Sequence, residues 1–250
     1  MPDHQTLLAA AVQQVNAALK FISEIPPPAT SPGRPQCALF LTIAEQHEAA
    51  VRLLEVGLTT HAAVHIRGML EALTDLCLLG ISEDHVRRMR YDQIGGAKRL
   101  FERVIAVEGL PDSLRVEYQS QLNDLTETHA PLHEEFRRNR LEQAEAFVRA
   151  GLQDLLPQYT MLCSFAHNDL SALAYRHQQG ERMAHRSPPS YADTHAFVVM
   201  SSVALTRAAH QLQGVVRLPE GRFEHHMETI GKLLHRICEL APEDPAFSQQ

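Results

Sequence analysis

Tryptophan is absent from this 250-residue sequence, and no stretch reaches the ~18 uninterrupted apolar residues that a transmembrane helix needs. Asp3 stands where a signal peptide would carry basic residues, and polar residues interrupt the apolar positions that follow. We therefore expect neither a membrane segment nor a secretory leader. The cysteines show no paired spacing, which is typical of reduced thiols in the cytoplasm; they are Cys37, Cys77, Cys163 and Cys238.

Motifs of nucleotide-binding and hydrolytic enzymes are also missing. There is no Walker loop, no GxGxxG and no GxSxG, and nothing in the sequence implies a cofactor. The net charge of −7 opposes strong non-specific attraction to nucleic acid or to an anionic membrane. The basic residues between positions 87 and 140 are interleaved with Asp and Glu, which favours a solvated, salt-bridged surface over a nucleic-acid track.

Hydrophobic periodicity predicts an all-α protein, a bundle of seven to eight helices in one domain over residues 1–250. Prolines and glycines mark most of the helix ends. The sequence shows no strand alternation and no internal repeat. The expected helices cover residues 7–22, 36–56, 59–80, 82–108, 112–150, 152–176, 191–212 and 222–240.

A few residues set the expected helix ends and breaks. Thr59 or Thr60 is expected to cap the third helix, and Ser82 the fourth. The long polar stretch that begins at Asp112 is expected to bend or break just before Pro131. The segment that follows residue 176 has no periodicity, so we expect a loop there.

The third helix, TTHAAVHIRGMLEALTDLCLL, is apolar but carries Arg67 and Glu71 four residues apart. That spacing stacks the two side chains on one helix face. A buried pair of this kind fixes helix register, since an isolated buried charge costs several kcal/mol. The same pair, if open to the outside, is a clamp for an anion or substrate. A third alternative is that both side chains simply face water.

The helix LPQYTMLCSFAHNDLSALAY carries a second polar row, with Tyr159, Cys163 and His167 at successive four-residue steps. His167 is either a hydrogen-bonded core residue or an acid–base catalyst, because the usual pKa of histidine suits proton transfer near neutrality. Cys163 is either a small buried hydrophobe or a reactive thiolate. The two rows together mark where a polar site would lie between core helices.

Pairs of histidines raise the question of a metal. His61 and His65 are four residues apart, a spacing that zinc ligands on a helix use. No Glu follows His61, so the HExxH motif of metalloproteases is absent. His129 and His133 share the spacing but lie on either side of Pro131. With 15 histidines in the chain, such pairs arise easily by chance, and we expect no metal site.

The segment GLTTHAAVHIRGMLEALTDLCLL resembles the signature helix of an uncharacterised bacterial family of all-helical proteins. In that family an Arg is followed four residues later by a Glu, and a second signature reads Tyr, a small polar residue and His at four-residue steps. Tyr159, Cys163 and His167 match it, with Cys where Ser is more usual. The resemblance covers residues 36–180. Outside it lie an N-terminal helix and proline-rich loop (1–35), C-terminal helices (181–240) and a frayed tail (241–250).

Proteins of this kind look distantly similar to HEPN domains, helical bundles that act as metal-independent ribonucleases in several toxin and antiphage systems. The resemblance implies a dimeric, HEPN-like bundle associated with stress or defence. The HEPN catalytic motif separates an Arg and a His on one helix by four to six residues. Arg222 and His226, with three residues between them, come closest here, and Arg67 and His167 would meet only across two packed helices.

These observations lead us to expect a cytoplasmic binding or regulatory module. Its polar pocket is formed by Arg67, Glu71, Tyr159, Cys163 and His167. The alternative is a metal-independent ribonuclease, in which His167 moves a proton and Arg67 stabilises the charge of the transition state. An RNA or a protein is the expected partner. A nearly continuous apolar run in the helix over 191–212 further predicts a homodimer.

Overall fold

The computed structural model of the chain describes residues 3–29, 31–137, 141–167, 169–187 and 189–242. These ranges are almost entirely helical, so the all-α prediction is confirmed. In this part of the chain there are ten α-helices, one 3-10 helix (Gln153–Leu155) and one hairpin of two short strands. The elements are α1 (His4–Glu24), α2 (Gly33–Glu55), α3 (Thr59–Ile81), α4 (Asp84–Ile105), α5 (Asp112–Phe136), α6 (Gln143–Arg149), α7 (Leu156–Ala166), α8 (Leu170–His177), β1 (Gln178–Gln179), β2 (Arg182–Met183), α9 (Tyr191–His210) and α10 (Arg222–Glu239).

Helices α3 and α9 lie at the centre of the bundle. α3 packs against α2, α7 and α9, and α9 also contacts α1, α2 and α10. Ile66, Met69 and Leu73 of α3 are completely buried. Each such side chain contributes roughly 1.5–3 kcal/mol through the burial of apolar surface. The backbone of α3 is therefore firmly placed, and so are the polar residues that it carries.

The apolar run of α9 is covered inside the same chain. Phe197, Val198 and Leu205 are buried, and α9 is enclosed by α1, α2, α3 and α10. The sequence argument for a homodimer assumed that part of this run needed a second subunit to cover it. Because neighbouring helices of the chain cover it, the run gives no reason to expect a second subunit, and the homodimer stays a prediction.

Helices α2 and α3 are joined by a tight turn in which Gly57 has a φ of 72°, the left-handed conformation expected of it. The predicted capping of α3 is wrong. Thr59 and Thr60 both lie inside the helix, and Leu58 holds the N-cap position without a side-chain hydrogen bond. The Thr60 hydroxyl instead accepts a hydrogen bond from Arg176 Nε at 2.8 Å. Ser82 likewise follows α3 as its C-cap and does not cap α4.

The predicted helix over residues 152–176 is divided into three pieces. A 3-10 turn precedes α7, and Pro157 occupies the first turn of α7, where its missing N–H costs nothing. α7 ends at Ala166, and Asp169 caps α8 by accepting a 2.8 Å hydrogen bond from the Ala172 N–H. Hydrogen bonds from Ser171 and Ala172 lower the pKa of Asp169 to about 2. A strong N-cap therefore begins a new helix where periodicity alone suggested a continuous one.

Of the bend or break predicted before Pro131, the break is wrong, because α5 runs through Pro131 and ends at Phe136. Apart from Phe136, no residue of α5 is buried, so water can solvate the Glu127 carbonyl that Pro131 leaves without a donor. The helix ends later, at Phe136, and the next helix, α6, begins at Gln143. These two divisions, of 112–150 and of 152–176, turn the eight expected helical segments into the ten α-helices of the described ranges.

The segment predicted as a loop after residue 176 contains a small hairpin. Gln178 pairs with Met183, and Gly180 takes a φ of 62° in the turn. The four cysteines are free thiols, as their spacing predicts. Among the described helices, none combines the length and the apolar character needed to cross a bilayer. Residues 243–250, most of the predicted frayed tail, lie outside the described ranges.

Candidate functional site

Four of the five predicted site residues come together where α7 packs on α3. Arg67 and Glu71 lie one turn apart on α3, and Tyr159 and Cys163 lie one turn apart on α7. Hydrogen bonds join all four side chains across the interface. We name these four residues the α3–α7 network. The prediction that the two polar rows face each other thus holds for these four residues.

Arg67 is the centre of the network, and each of its guanidinium nitrogens has a partner. Nη2 lies 2.7 Å from Glu71 Oε1 and donates to the Tyr159 hydroxyl at 3.2 Å. Nη1 donates to Glu71 Oε2 at 3.2 Å, and Nε donates to Cys163 Sγ at 3.4 Å. Burial acts to lower the pKa of Arg67, but the Cys163 hydrogen bond and the Glu71 charge outweigh it and raise that pKa. Arg67 is therefore a fixed positive charge with every nitrogen engaged, and the second N–H of Nη1 is its one donor without a partner among the described residues.

Tyr159 is the most buried member of the network, with 9% of its surface exposed. Its ring lies 5.0 Å from that of Phe147, and its hydroxyl donates to Glu71 Oε1 at 2.9 Å. Burial first, and then the hydrogen bond to Glu71, raise the pKa of Tyr159 above its usual range. The phenol stays protonated at neutral pH and acts as a hydrogen-bond donor. Neither Tyr159 nor Arg67 is therefore suited to exchange a proton near neutrality.

The outer edge of the network is open to solvent. The side chains of Arg67 and Glu71 are 25% and 35% exposed, so the pair is neither fully buried nor a free surface pair. Its partial burial fits the predicted ion pair that fixes helix register, and its partial exposure fits the predicted clamp for a ligand. A molecule that approaches this edge meets one donor group and one acceptor group whose charges cancel.

His167, the fifth predicted residue, lies at the edge of this arrangement. It is the C-cap of α7, and its backbone N–H donates to the Cys163 carbonyl at 3.0 Å. Its side chain is exposed. Among the described residues, no hydrogen bond or ion pair links that side chain to Arg67, Glu71, Tyr159 or Cys163.

The histidine pairs considered for metal binding are separate from the network. His61 lies in the first turn of α3 and is exposed, and His65 is half-buried one turn further on. Across the described ranges, no three His, Cys, Asp or Glu side chains are arranged to hold a metal ion.

One polar cluster escaped the sequence analysis because its members are far apart in the chain. Arg222 Nε and His226 Nε2 bind Glu24 Oε2 at 2.6 and 2.9 Å, joining α10 to α1. Arg222 first, and then His226, hold the pKa of Glu24 at about 2. The four-residue spacing of Arg222 and His226 was visible in the sequence, but no local signal pointed to Glu24, 198 residues before Arg222.

A second cluster lies between α4 and α5. The Tyr91 ring stacks on His129 at 4.9 Å, and its hydroxyl lies 3.2 Å from His133 Nδ1. Partial burial and the positive charge of Lys98 lower the pKa of His129. His129 and His133 share a face because α5 is continuous through Pro131, where the sequence predicts a bend or a break.

The fold and the network together define an all-α bundle with a half-buried polar site between two core helices. The chain belongs to a family of unknown function, DUF5677, whose model matches residues 35–184. This segment agrees closely with the 36–180 range of the sequence resemblance, and it carries both helices of the network. No curated protein and no solved structure matches the chain.

Proposed function

We propose that this protein is a non-enzymatic binding and regulatory module whose α3–α7 network receives a polar group of a protein partner. The observation that carries the proposal is that Glu71, Tyr159 and Cys163 hold every nitrogen of Arg67 in place at a solvent-reachable edge, while one N–H of Nη1 stays available to a ligand. An engaged and charge-balanced pair is a poor catalyst for proton transfer. It is a good template for a group that offers one acceptor and one donor.

A peptide amide is the group that fits this edge best. Its carbonyl would accept from Arg67, and its N–H would donate to Glu71, so no charge would be left uncompensated. A free anion would be attracted by Arg67 and repelled by Glu71, and the two effects largely cancel because Arg67 Nη2 lies 2.7 Å from Glu71 Oε1. The charge balance therefore supports a protein partner over a phosphate ligand at this site.

The ribonuclease alternative requires Arg67 and His167 to act on one phosphate group. Arg67 is neutralised by Glu71, and the exposed His167 side chain lies outside the hydrogen-bonded network. The geometry therefore supports the binding module better. The resemblance of the two signatures to those of HEPN-like bacterial proteins supports a cytoplasmic role in stress or defence, with the protein working as a homodimer.

The test compares the intact chain with a double variant, Arg67→Met with Glu71→Leu, that keeps the volume of the pair and removes its polar groups. Each protein is cross-linked to partners in the cells that encode it, and the captured proteins are quantified by mass spectrometry. The control is Glu145→Leu with Arg149→Met, which removes an exposed ion pair of the same spacing on α6. A specific partner should be lost with the first variant and kept with the control.

A parallel assay incubates the intact chain with single-stranded RNA in EDTA. Intact RNA is expected. RNA that is degraded by the unmodified chain and spared by His167→Ala would overturn the proposal and establish the ribonuclease. Capture of the same proteins by the intact chain and by the network variant would also contradict it.

A further inference from the structure

A small cleft of about 40 Å³ lies at the start of α3, away from the α3–α7 network. Its floor is the turn before α3 and the first turn of that helix. Its walls are the end of α8 and the segment that follows β2. Arg67 lies seven residues beyond Thr60, which places it roughly 10 Å further along the axis of α3. The residues that line the cleft include Thr59, Thr60, His61, Arg176, His177 and Arg186.

Hydrogen bonds hold the walls of the cleft in place. Arg176 donates from Nε to the Thr60 hydroxyl at 2.8 Å and from Nη2 to the Phe165 carbonyl at 2.9 Å. The segment that follows β2 is held against α8, because the Ser187 N–H donates to the Arg176 carbonyl at 2.9 Å. The Ala184 N–H donates to the His177 carbonyl at 2.7 Å. The cleft is therefore a built feature of the fold, formed before any ligand arrives.

The lining of the cleft is basic. It includes Arg176, Arg186 and three histidines, and none of its described lining residues is an Asp or a Glu. Partial burial, followed by the positive charges of Arg176, Arg186 and His177, lowers the pKa of His61. These charges therefore converge on one volume. Asp193 does not line the cleft, but it accepts hydrogen bonds from Ser190 and from the lining residue Tyr175, so one carboxylate lies behind the wall.

The start of α3 supplies further donors to the same place. α3 has no side-chain cap, and the His61 N–H already donates to the Leu58 carbonyl at 3.0 Å. The N–H groups of Thr59 and Thr60 are therefore the first-turn donors without a partner among the described residues. Thr59 lines the cleft and is only 4% exposed, yet its hydroxyl has no hydrogen-bond partner in the described structure. A buried hydroxyl without a partner is unfavourable by about 1–3 kcal/mol. An acceptor in the cleft would relieve that cost.

We propose that this cleft binds a phosphate group, presented as the terminal phosphomonoester of a small molecule or a chain end. The uncapped first turn of α3 offers backbone N–H groups and the positive end of the helix dipole. Thr59 lines the cleft with a hydroxyl that has no partner, and Arg186 lines it as an exposed cation. Because the lining has cations and no carboxylate, a dianion is favoured over a neutral ligand, in contrast to the charge-balanced α3–α7 network.

The test is calorimetric titration of the full chain at constant ionic strength with inorganic phosphate and, separately, with 5′-AMP. Saturable binding of both is expected. Arg186→Gln should weaken it about tenfold, since a hydrogen bond to a charged group is lost. Thr59→Val, which keeps the side-chain shape, should also weaken it. The matched control is Arg182→Gln, an exposed arginine of the same hairpin that does not line the cleft and should change affinity less than twofold.

Two results would overturn the proposal. One is the absence of saturable heat with either ligand. The other is equal weakening by Arg182→Gln and Arg186→Gln, which would show diffuse attraction to a basic hairpin. An RNA oligonucleotide without terminal phosphate separates the sources, because tight Arg186-dependent binding of it alone would reject the monoester. All of these variants leave Arg67 and Glu71 intact, so failure here says nothing against the proposed partner site.

Discussion

Tyr159 donates a 2.9 Å hydrogen bond to Glu71 across the interface of α7 and α3, from a position 88 residues further along the chain. Both residues also contact Arg67. The bond therefore completes a triangle of hydrogen bonds among Arg67, Glu71 and Tyr159 at the edge of an apolar core. Because Tyr159 is nearly buried, its hydroxyl could not easily exchange Glu71 for water.

Tyr159→Phe removes only this hydroxyl, and with it the hydrogen bonds to Glu71 and from Arg67. It should lower the free energy of unfolding by about 2 kcal/mol, the typical net value of two hydrogen bonds. The ring contact with Phe147 remains. Urea unfolding monitored by circular dichroism measures the change. Tyr118→Phe on α5 serves as the control, with an expected change below about 0.5 kcal/mol. Equal losses in the two variants would show that the hydroxyl of Tyr159 has no special partner.

Arg67→Met, Glu71→Leu and the double variant form a mutant cycle on the ion pair. Since the two side chains are 25% and 35% exposed, each single change should cost about 1–3 kcal/mol, between the values of surface and buried pairs. The double variant should recover part of that loss, because no unpaired charge remains. Urea unfolding of all four proteins gives the coupling energy. Strictly additive losses would contradict a coupled pair.

His47 on α2 is completely buried, and neither of its ring nitrogens has a partner among the described residues. Burial lowers its pKa from 6.5 to about 4. Between these values the unfolded chain binds a proton that the folded chain does not. The free energy of unfolding should therefore fall as the pH drops from 6.5 to 4, by up to roughly 3 kcal/mol.

Urea unfolding at several pH values measures this dependence, and His47→Leu isolates it. The variant should have a flatter profile between pH 6.5 and 4 than the unmodified chain. Identical slopes for the two proteins would mean that His47 is protonated in the folded state.

Glu24 gives an acid dependence in a lower window. Its pKa is lowered from 4.5 to about 2, so the stability that it contributes is present above 4.5 and is lost as the pH falls towards 2. Glu24→Gln should lower the melting temperature at pH 6 and remove part of the acid sensitivity below pH 4.5. Calorimetric melting curves test both effects. A melting temperature unchanged at pH 6 would contradict the role of the Arg222 and His226 contacts.

The homodimer is tested by multi-angle light scattering at micromolar concentration. With α9 enclosed, the expectation rests on the family resemblance and on exposed apolar side chains such as Leu170 (85%) and Met183 (82%). A mass near twice the 28.0 kDa of the chain is expected. The change Leu170→Asp should then shift the mass towards that of the monomer. A mass of one chain for the unmodified protein would contradict the prediction.

Local spacing made part of the site predictable. Arg67 with Glu71, and Tyr159 with Cys163, were paired on helix faces because the α-helix returns to the same face every four residues. That the two faces meet depends on how α7 docks on α3, and Tyr159 lies 92 residues from Arg67. The two polar rows on apolar helices predicted a site between core helices, but four-residue spacing does not determine how two helices dock.

The predicted helix boundaries were wrong where the effect of a single residue differs from what the hydrophobic periodicity around it indicates. Asp169 starts a new helix and leaves His167 at the end of α7, although the apolar pattern continues across both. Pro131 has the opposite effect, since an exposed helix tolerates it and α5 continues. The basic cleft had no sequence signature at all, because Thr59 and Arg186 are brought together only by the packing of α8 and the hairpin.

The contact between α3 and α9 shows that the segment matched by the family model is shorter than the unit that packs as one core. α3 lies inside the matched segment, which ends at residue 184, whereas α9 begins at Tyr191. A fragment cut at the family boundaries would expose the apolar face of α3 that α9 covers, and we expect it to aggregate. A relative that shares only the matched segment must shield this face with a helix of its own or with another polypeptide.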